Sequence, residues 1–437
     1  CISVIIILAI VIGSTVCFSA DSKIIKIGVI GPQKFFGGID GWKGATLAAE
    51  EINATGGVNV KGVNYKVKLI KADSNELQSV SDAVNAFERL VSLNKVNCVI
   101  GANRSEAALA MMESMSANKV LFLTTGVSHT AFGERVAADY EKNKYWFRVG
   151  VSNVKNIGFA VFGVLEAGMY SVKKELGIEK PRVAIFGEKA AWNESLVKAV
   201  SGLVVNKFGG EVSGVWRPSP LASDVTAELT AIKNADTHVI FTMFSGPLGV
   251  TAPRQWGQLQ IPAAMIGINN DAQSPKHWEE TGGMCNYEAT YHLIGKDLKI
   301  SSKTIPYYNK FNKKFGGPSG IFAIGNYDAI YLLKKAIEET GSLNSDVLVK
   351  KLENIDFVPV GGKKLVFYPR DHKWPHDVMM GPEYTSHIGI QWINGNYYCI
   401  WPTGRATLGD KKWEGVKFEG AVDYKLPPWM VKYWKNK

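Results

Sequence analysis

Residues 24–73 read IIKIGVIGPQKFFGGIDGWKGATLAAEEINATGGVNVKGVNYKVKLIKAD, and the order of apolar runs and breakers in this stretch decides the fold. Ile24–Gly31 is a short apolar run closed by Gly31-Pro32, the pattern of a buried strand followed by a turn. In Trp42–Asn53, the residues Trp42, Ala45, Ala48, Ala49 and Ile52 fall on one face at a period of 3.6, which predicts a helix. Asn53 and Gly56-Gly57 stop that helix. Tyr65–Ala72 then alternates as a strand. Strand, helix and strand at this spacing predict parallel pairing through a right-handed crossover.

The rhythm continues outward. Ser79–Leu93 and Ser105–Asn118 are helical, and Asn97–Gly101 and Val120–Thr124 are strands. After Tyr145–Gly150 (YWFRVG) it restarts with a long helix, Asn156–Leu176. Strands Arg182–Gly187, Glu211–Trp216, His238–Phe244 and Ala264–Gly267 follow, with helices Trp192–Phe208 and Val225–Asn234 among them. The restart marks a second α/β lobe. Helices Ile305–Phe315 and Ile324–Glu339 precede a Gly/Pro-rich, strand-like finish and a basic, aromatic tail, KLPPWMVKYWKNK (425–437), expected as a frayed, solvated end.

Composition agrees. The 437 residues are enough for about three domain units, or two large lobes with a sizeable core. They are 46% hydrophobic and 21% charged, which excludes a disordered, fibrous or polytopic membrane protein. The net charge of +10 is spread thinly, and without a run of five basic residues it gives nucleic-acid binding little support.

Ile2–Val16 is almost wholly apolar, yet short for a membrane span, and small residues up to Ala20 follow it. A cleaved export signal is the expected reading, with a lipid anchor on Cys17 or an uncleaved anchor as alternatives. All three place the rest of the chain outside the cytoplasm. Cys98 reads as a buried core thiol, and Cys285 and Cys399 either pair in an oxidising compartment or remain unpaired.

Catalytic and cofactor motifs are missing. GVIGPQKFFGGIDG, residues 28–41, has Pro32 and two phenylalanines where a dinucleotide fingerprint needs glycine. Gly57–Gly62 has the gap of a P-loop, but Val63 stands in place of its lysine. Neither a G-x-S-x-G elbow nor an H-E-x-x-H pair occurs. His372 and His376 (DHKWPHD) have ligand-like spacing, but Pro375 breaks the helix that would align them, so a solvated turn is expected there. The pairs Glu50-Glu51, Glu279-Glu280 and Glu338-Glu339 read as wet helix or turn faces. No metal, cofactor or enzymatic activity is expected.

The opening stretch resembles the type I periplasmic substrate-binding proteins of ABC importers, and among them the branched-chain amino acid (leucine/isoleucine/valine) binding family. The residues that carry the likeness begin with Gly28, Gly31-Pro32, Gly44-Ala45, Ala48, Glu50 to Asn53, Gly56-Gly57 and Asp73. Val99-Ile100-Gly101 before Ser105, Phe147-Arg148, Gly209-Gly210-Glu211 and Leu426-Pro427-Pro428-Trp429 extend it over nearly the whole chain. The resemblance implies an α/β fold of two Rossmann-like lobes (the type I periplasmic-binding-protein fold) joined by three hinge crossovers, closing over a ligand in the interlobe cleft. It places residues 1–20 in a signal peptide or anchor, and 21–148 with 272–356 in the first lobe. The second lobe takes 149–271 and 357–403, and 404–437 form a C-terminal extension. The crossovers are expected after Phe147-Arg148, near Gly267–Asp271, and between Asp356 and Gly362.

Ligands of open parallel sheets bind beyond the carboxyl ends of the strands. In the resembled family the first lobe holds a ligand carboxylate through hydroxyls and backbone N–H groups. Here the matching loops are Asn103, Arg104 and Ser105, and Thr124, Thr125 and Gly126. Ser105 is equally a plain helix N-cap, and Arg104 either clamps a second acidic group or lies on the surface beside the cleft. From the second lobe, Trp192, Phe244 and Ser245 are expected at the ligand, and Tyr327 lies on the helix that returns to the first lobe.

The second lobe departs from the family. Its amino-acid binders place a carboxylate in the loop matching Phe244–Leu248, yet no Asp or Glu occurs between Phe241 and Asn270. Either Glu188, Glu194 or Asp271 replaces that acid, or the ligand has no α-ammonium. The function implied is capture of a small carboxylate-bearing solute and delivery to an ABC permease with its ATPase subunits, by a monomer. A ligand-sensing ectodomain and an exported α/β enzyme are the alternatives.

Overall fold

The computed structural model describes residues 23–404, 413–418 and 420–437; the signal or anchor expected over residues 1–20 lies outside them. Six strands form the first sheet: β1 (Ile24–Gly31), β2 (Val58–Val60), β3 (Val63–Asp73), β4 (Cys98–Gly101), β5 (Leu121–Thr124) and β6 (Trp146–Arg148). Their order is β2-β3-β1-β4-β5-β6, parallel except for the β2–β3 hairpin. β4, β5 and β6 are buried at every position, as strands covered by helices on both faces must be.

The motif residues have visible physical work. Asn53 brackets Val67 of β3, accepting its N–H and donating to its carbonyl, both at 2.8 Å. Helix Phe36–Ala54 lies against helix Ile321–Thr340 so closely that a Cβ on Gly44 would stand 2.0 Å from the Ala323 carbonyl oxygen. Glycine is therefore required where the two backbones meet.

The second sheet has seven strands. They are β7 (Arg182–Gly187), β8 (Glu211–Trp216), β9 (Val239–Phe244), β10 (Ala264–Asn269), β11 (Ala289–His292), β12 (Ile388–Ile393) and β13 (Asn396–Trp401). The order is β13-β12-β11-β10-β9-β7-β8. β11 was not expected from the sequence, and it moves a boundary: it pairs parallel to β10, so the chain stays with the second sheet through His292 instead of leaving near Gly267–Asp271. It returns with helices Thr304–Phe315 and Ile321–Thr340, the latter packed on the first lobe.

The last crossover also comes later than Asp356–Gly362. Phe367 and His376 pack on Phe147 of β6, with ring centroids 5.0 and 4.0 Å away, before the chain enters β12. Asp377 meets the Arg148 guanidinium at 2.7 Å, both side chains fully buried. Asp377 also accepts from Asn153, whose own carbonyl oxygen caps the long helix Val154–Leu176. This pair ties the first crossover to the last. His376 is consequently buried, bonded to the Trp146 carbonyl and to Glu353, and the solvated turn expected for DHKWPHD is corrected. His372 stacks on Tyr368 instead.

The C-terminal tail is docked, not frayed. Helix Pro428–Lys435 lies on the second lobe, where the indole N–H groups of Trp429 and Trp434 donate to the carbonyls of Ile261 and Pro262. Cys98, Cys285 and Cys399 are all buried free thiols. Among the described residues no helix is long and apolar enough to cross a membrane.

Candidate ligand-binding site

The carboxyl ends of β4, β5, β7, β9 and β10 face one another across the interlobe cleft, and between them lies a narrow chamber of ≈20 Å³. Its apolar wall is Val151, Ile157, Trp192, Ile268 and Tyr291. Its polar lining is Asn103, Ser105, Ser128, Ser245 and Asn270, with the backbone of Gly126. Among the described residues no charged side chain lines it. A wider vestibule of ≈380 Å³, open to solvent, shares Asn103, Ser245 and Asn270 with this chamber and reaches Lys34, Arg254, Asp271 and Glu280.

Ser245 is held by an irregular helix. Leu248–Gln258 contains Pro253, which lacks the N–H that the Gly249 carbonyl would accept. Asn269 at the end of β10 supplies the missing donor, Nδ2 to the Gly249 oxygen at 2.7 Å. The approach is tight: a Cβ on Gly249 would stand 2.2 Å from Asn269 Oδ1. The ends of β9 and β10 are thereby fixed side by side.

Glu188, at the end of β7, is fully buried just behind the chamber wall. It accepts from Trp192 Nε1 at 3.0 Å, from the Ser245 backbone N–H at 2.8 Å and from the Ser245 hydroxyl. Arg104 reaches it from the first lobe, Nη1 to Oε1 at 3.3 Å, and also donates to Ser245 Oγ at 3.1 Å. The other guanidinium nitrogen holds Glu106 at 2.8 Å. Arg104 is buried and pairs with acids of its own chain, which sets aside the surface position expected as one alternative and leaves its guanidinium engaged from within the protein.

The first-lobe donors are also redistributed. Glu76, buried beneath the loop after β4, accepts the backbone N–H groups of Asn103 (3.1 Å) and Arg104 (3.0 Å) and the Ser74 hydroxyl. Those two amides are thus not available to an anion. Burial pushes the Glu76 carboxyl up to about 7, against the lowering effect of these donors. The N–H groups of Ser105, at the N-terminus of helix Ser105–Asn118, and of Gly126 bond to no described residue. Ser105 Oγ accepts weakly from the N–H groups of Ser128 and His129 at 3.4 and 3.3 Å.

Several expected site residues lie elsewhere. Thr124 is a core hydroxyl that accepts from Trp146 Nε1 at 3.0 Å. Thr125 donates to Asn326 at 2.7 Å, away from the chamber. Phe244 packs edge-on against Phe186 inside the second lobe. Tyr327 turns to the far side of its helix, where its hydroxyl donates to Glu51 at 2.7 Å. Glu194 is exposed and paired with Arg217 at 2.7 Å. Asn103, Ser105, Gly126, Trp192 and Ser245 do line the chamber, and Asp271 lines the vestibule. Asp271 keeps Oδ2 without a hydrogen-bond partner, and burial pushes its carboxyl up to about 7.

Sequence reasoning missed Ser128, Val151, Ile157, Ile268 and Tyr291. Tyr291 depends on the unexpected β11. Asn270 adjoins the expected Asp271, and position within that loop was the available signal.

One cluster has metal-ligand chemistry. Donor atoms of the buried His277, Cys285 and Glu288 all lie within 4.8 Å of one another. However, His277 Nε2 and Glu288 Oε2 are 2.7 Å apart, a hydrogen bond and closer than the ~3.3 Å edge that two ligands on one tetrahedral zinc would span. Asn269 takes the other Glu288 oxygen at 2.6 Å, and burial pushes the Cys285 thiol strongly up. His277 and Glu288 form a hydrogen-bonded core pair, with the Cys285 thiol buried beside them.

Comparison with known proteins finds the same two-lobed fold. An amino acid binding protein of Pseudomonas aeruginosa is 25% identical over 366 residues, covering 82% of this chain and 90% of that protein. The branched-chain amino acid transporter substrate binding protein LivJ of Streptococcus pneumoniae, solved with isoleucine, superposes with a TM-score of 0.69 at 18% identity, over 86% of this chain and 98% of that one. A solute binding protein of an ABC transporter from R. palustris, solved with benzoate, gives 0.68 at 15% identity, over 86% and 95%. Both solved structures share the fold. Residues 24–382 match the family described as periplasmic binding protein, and with the two-lobed fold this establishes that the chain belongs to the periplasmic binding proteins.

Proposed function

We propose that the protein is the exported, monomeric solute-binding component of an ABC importer, and that its cleft takes a small carboxylate with an apolar or aromatic body and no α-ammonium. One observation carries this reading: among the described residues no carboxylate lines the chamber, and Glu188, the acid behind its wall, is already bonded to Arg104, Trp192 and Ser245. A desolvated ammonium without a partner would cost several kcal/mol, roughly the penalty of any buried ion.

The carboxylate is placed at Ser105, against its hydroxyl and the N–H groups of Ser105 and Gly126. Free N–H groups and the helix dipole favour an anion there. Trp192, Tyr291 and Ile157 flank the body of the solute, and Asn270 with Asp271 stands at the entrance. A benzoate-bound neighbour of the same fold supports a flat acid, and the isoleucine-bound one supports the competing amino acid. Lobe closure on the solute would then present it to the permease and its ATPase subunits.

A thermal-shift screen with benzoate, 4-methylpentanoate, leucine and leucinamide tests the class. A ligand at a hundred times its Kd adds about 2.7 kcal/mol to stability. The acids should raise the thermal midpoint and Ser105→Ala should abolish that rise. Stabilisation by leucine alone would overturn the reading.

A further inference from the structure

We propose that Arg104 is the specificity determinant of the cleft: its guanidinium stands beside Glu188 where a ligand ammonium would stand, and so excludes solutes that carry a cation next to their carboxylate. This rests on the carboxylate reading above and names the residue that enforces it.

Glu188 has three donors from its own lobe, the Trp192 indole and the Ser245 amide and hydroxyl, all uncharged. The fourth comes across the cleft, from Arg104 at 3.3 Å, and it alone carries a charge. The Glu188 side chain is 0% exposed, so a positive partner matters: breaking such a pair leaves an uncompensated buried charge. Trp192 and Ser245 both line the chamber, which puts Glu188 one side chain behind its wall, on the lobe opposite Ser105. An acid so placed suits an amine on a solute whose carboxylate sits at Ser105. Arg104 already fills that role from within the chain. An incoming ammonium would have to share Glu188 with a guanidinium that Glu106 already holds in place at 2.8 Å, and specificity of this kind comes from the repulsive element.

Arg104→Met keeps much of the apolar stem and removes the charge. Glu188 is then left with neutral donors only, beside a chamber that a solute can enter. The experiment titrates wild type, Arg104→Met and Arg104→Met/Glu188→Gln with two matched pairs, 4-methylpentanoate with leucine and 3-phenylpropanoate with phenylalanine. For each protein the readout is the ratio of the two Kd values. In wild type the ratio should favour the deaminated acid. In Arg104→Met it should move at least tenfold toward the amino acid, and in the double variant it should return. Arg104→Gln, which keeps a donor for Ser245, makes the same comparison if the Met variant does not fold.

A wild type that prefers the acids, with no shift in either Arg104 variant, overturns the inference and leaves the carboxylate reading standing. A shift that persists in the double variant also overturns it, because Glu188 is then not the amine's partner. A wild type that prefers the amino acids overturns both. If wild type binds neither member of a pair, the carboxylate reading fails for those solutes, while Glu188-dependent amino acid binding gained in Arg104→Met still supports the inference and its absence overturns it.

Discussion

The carboxylate of Glu76 accepts the backbone N–H of Arg104 at 3.0 Å, and by this bond the first lobe fixes the residue that reaches across the cleft. The same carboxylate takes the N–H of Asn103, so the turn that opens helix Ser105–Asn118 is held from beneath.

That arrangement makes stability depend on pH. Burial raises the Glu76 carboxyl from 4.5 to about 7, so between those values the folded chain holds a proton that the unfolded chain releases. The resulting contribution is fully present below pH 4.5 and is lost as pH rises through about 7. Glu76→Gln has no such group, while Asp40, Asp271 and Asp328, raised to about 7 as well, remain in both proteins. Thermal midpoints at pH 5 and pH 8 should therefore show a larger gap between wild type and variant at pH 5. An equal gap at both values would contradict the burial effect.

Asp377 neutralises Arg148 in the fully buried interior, and Arg148 also donates to the carbonyls of Val127 and His129 in the loop beside the chamber. Asp377→Ala should cost about 3–5 kcal/mol, measured by chemical denaturation, because it strands a buried guanidinium. Ligand affinity should fall with it, since that loop carries Gly126 and Ser128. A loss under 1 kcal/mol would show that water reaches the pair.

Tyr327→Phe separates the far side of its helix from the cleft. Losing the bond to Glu51 should lower stability by about 1 kcal/mol and leave ligand affinity within twofold. Ser105→Ala should do the reverse, with stability nearly unchanged and affinity at least tenfold weaker. Calorimetric titration of both variants checks the contrast.

Trp434 covers His238 at 4.3 Å between centroids and donates to the Pro262 carbonyl. Trp434→Ala should cost about 1–2 kcal/mol of stability without changing affinity, as expected for a half-buried side chain. An unchanged thermal midpoint would mean that the tail contributes nothing to the second lobe.

The strands and helices that carry the first lobe were legible because each states its environment locally. Ile24–Gly31 is apolar on both faces, and Trp42–Asn53 keeps one apolar face before Gly56-Gly57. β11 was not legible, because its residues ATYH alternate with no apolar run and their partners are distant: Thr290 accepts from the Asn269 amide, 21 residues earlier. The helix Leu248–Gln258 was hidden by Pro253, whose defect is repaired by a side chain twenty residues away. At the candidate site, the loops that follow the strand ends do come together, since Asn103, Ser105, Gly126, Trp192 and Ser245 meet at the chamber. Which atoms of those loops remain free was not readable, because Arg104 donates to acids far away in sequence, its N–H to Glu76 at 28 residues and its guanidinium to Glu188 at 84. Thr124, Thr125, Phe244 and Tyr327 do not line the chamber for a related reason: a loop or helix can be located by pattern, but the direction of one side chain is set by what packs on it.

That the solute carries no ammonium is tested most directly by calorimetric titration of the wild-type protein with 4-methylpentanoate and with leucine, two solutes that differ by the amine alone. Binding of 4-methylpentanoate at least tenfold tighter than leucine is the predicted result. Leucine binding as tightly or more tightly would mean that an acid in the cleft does accept an ammonium, and would contradict it.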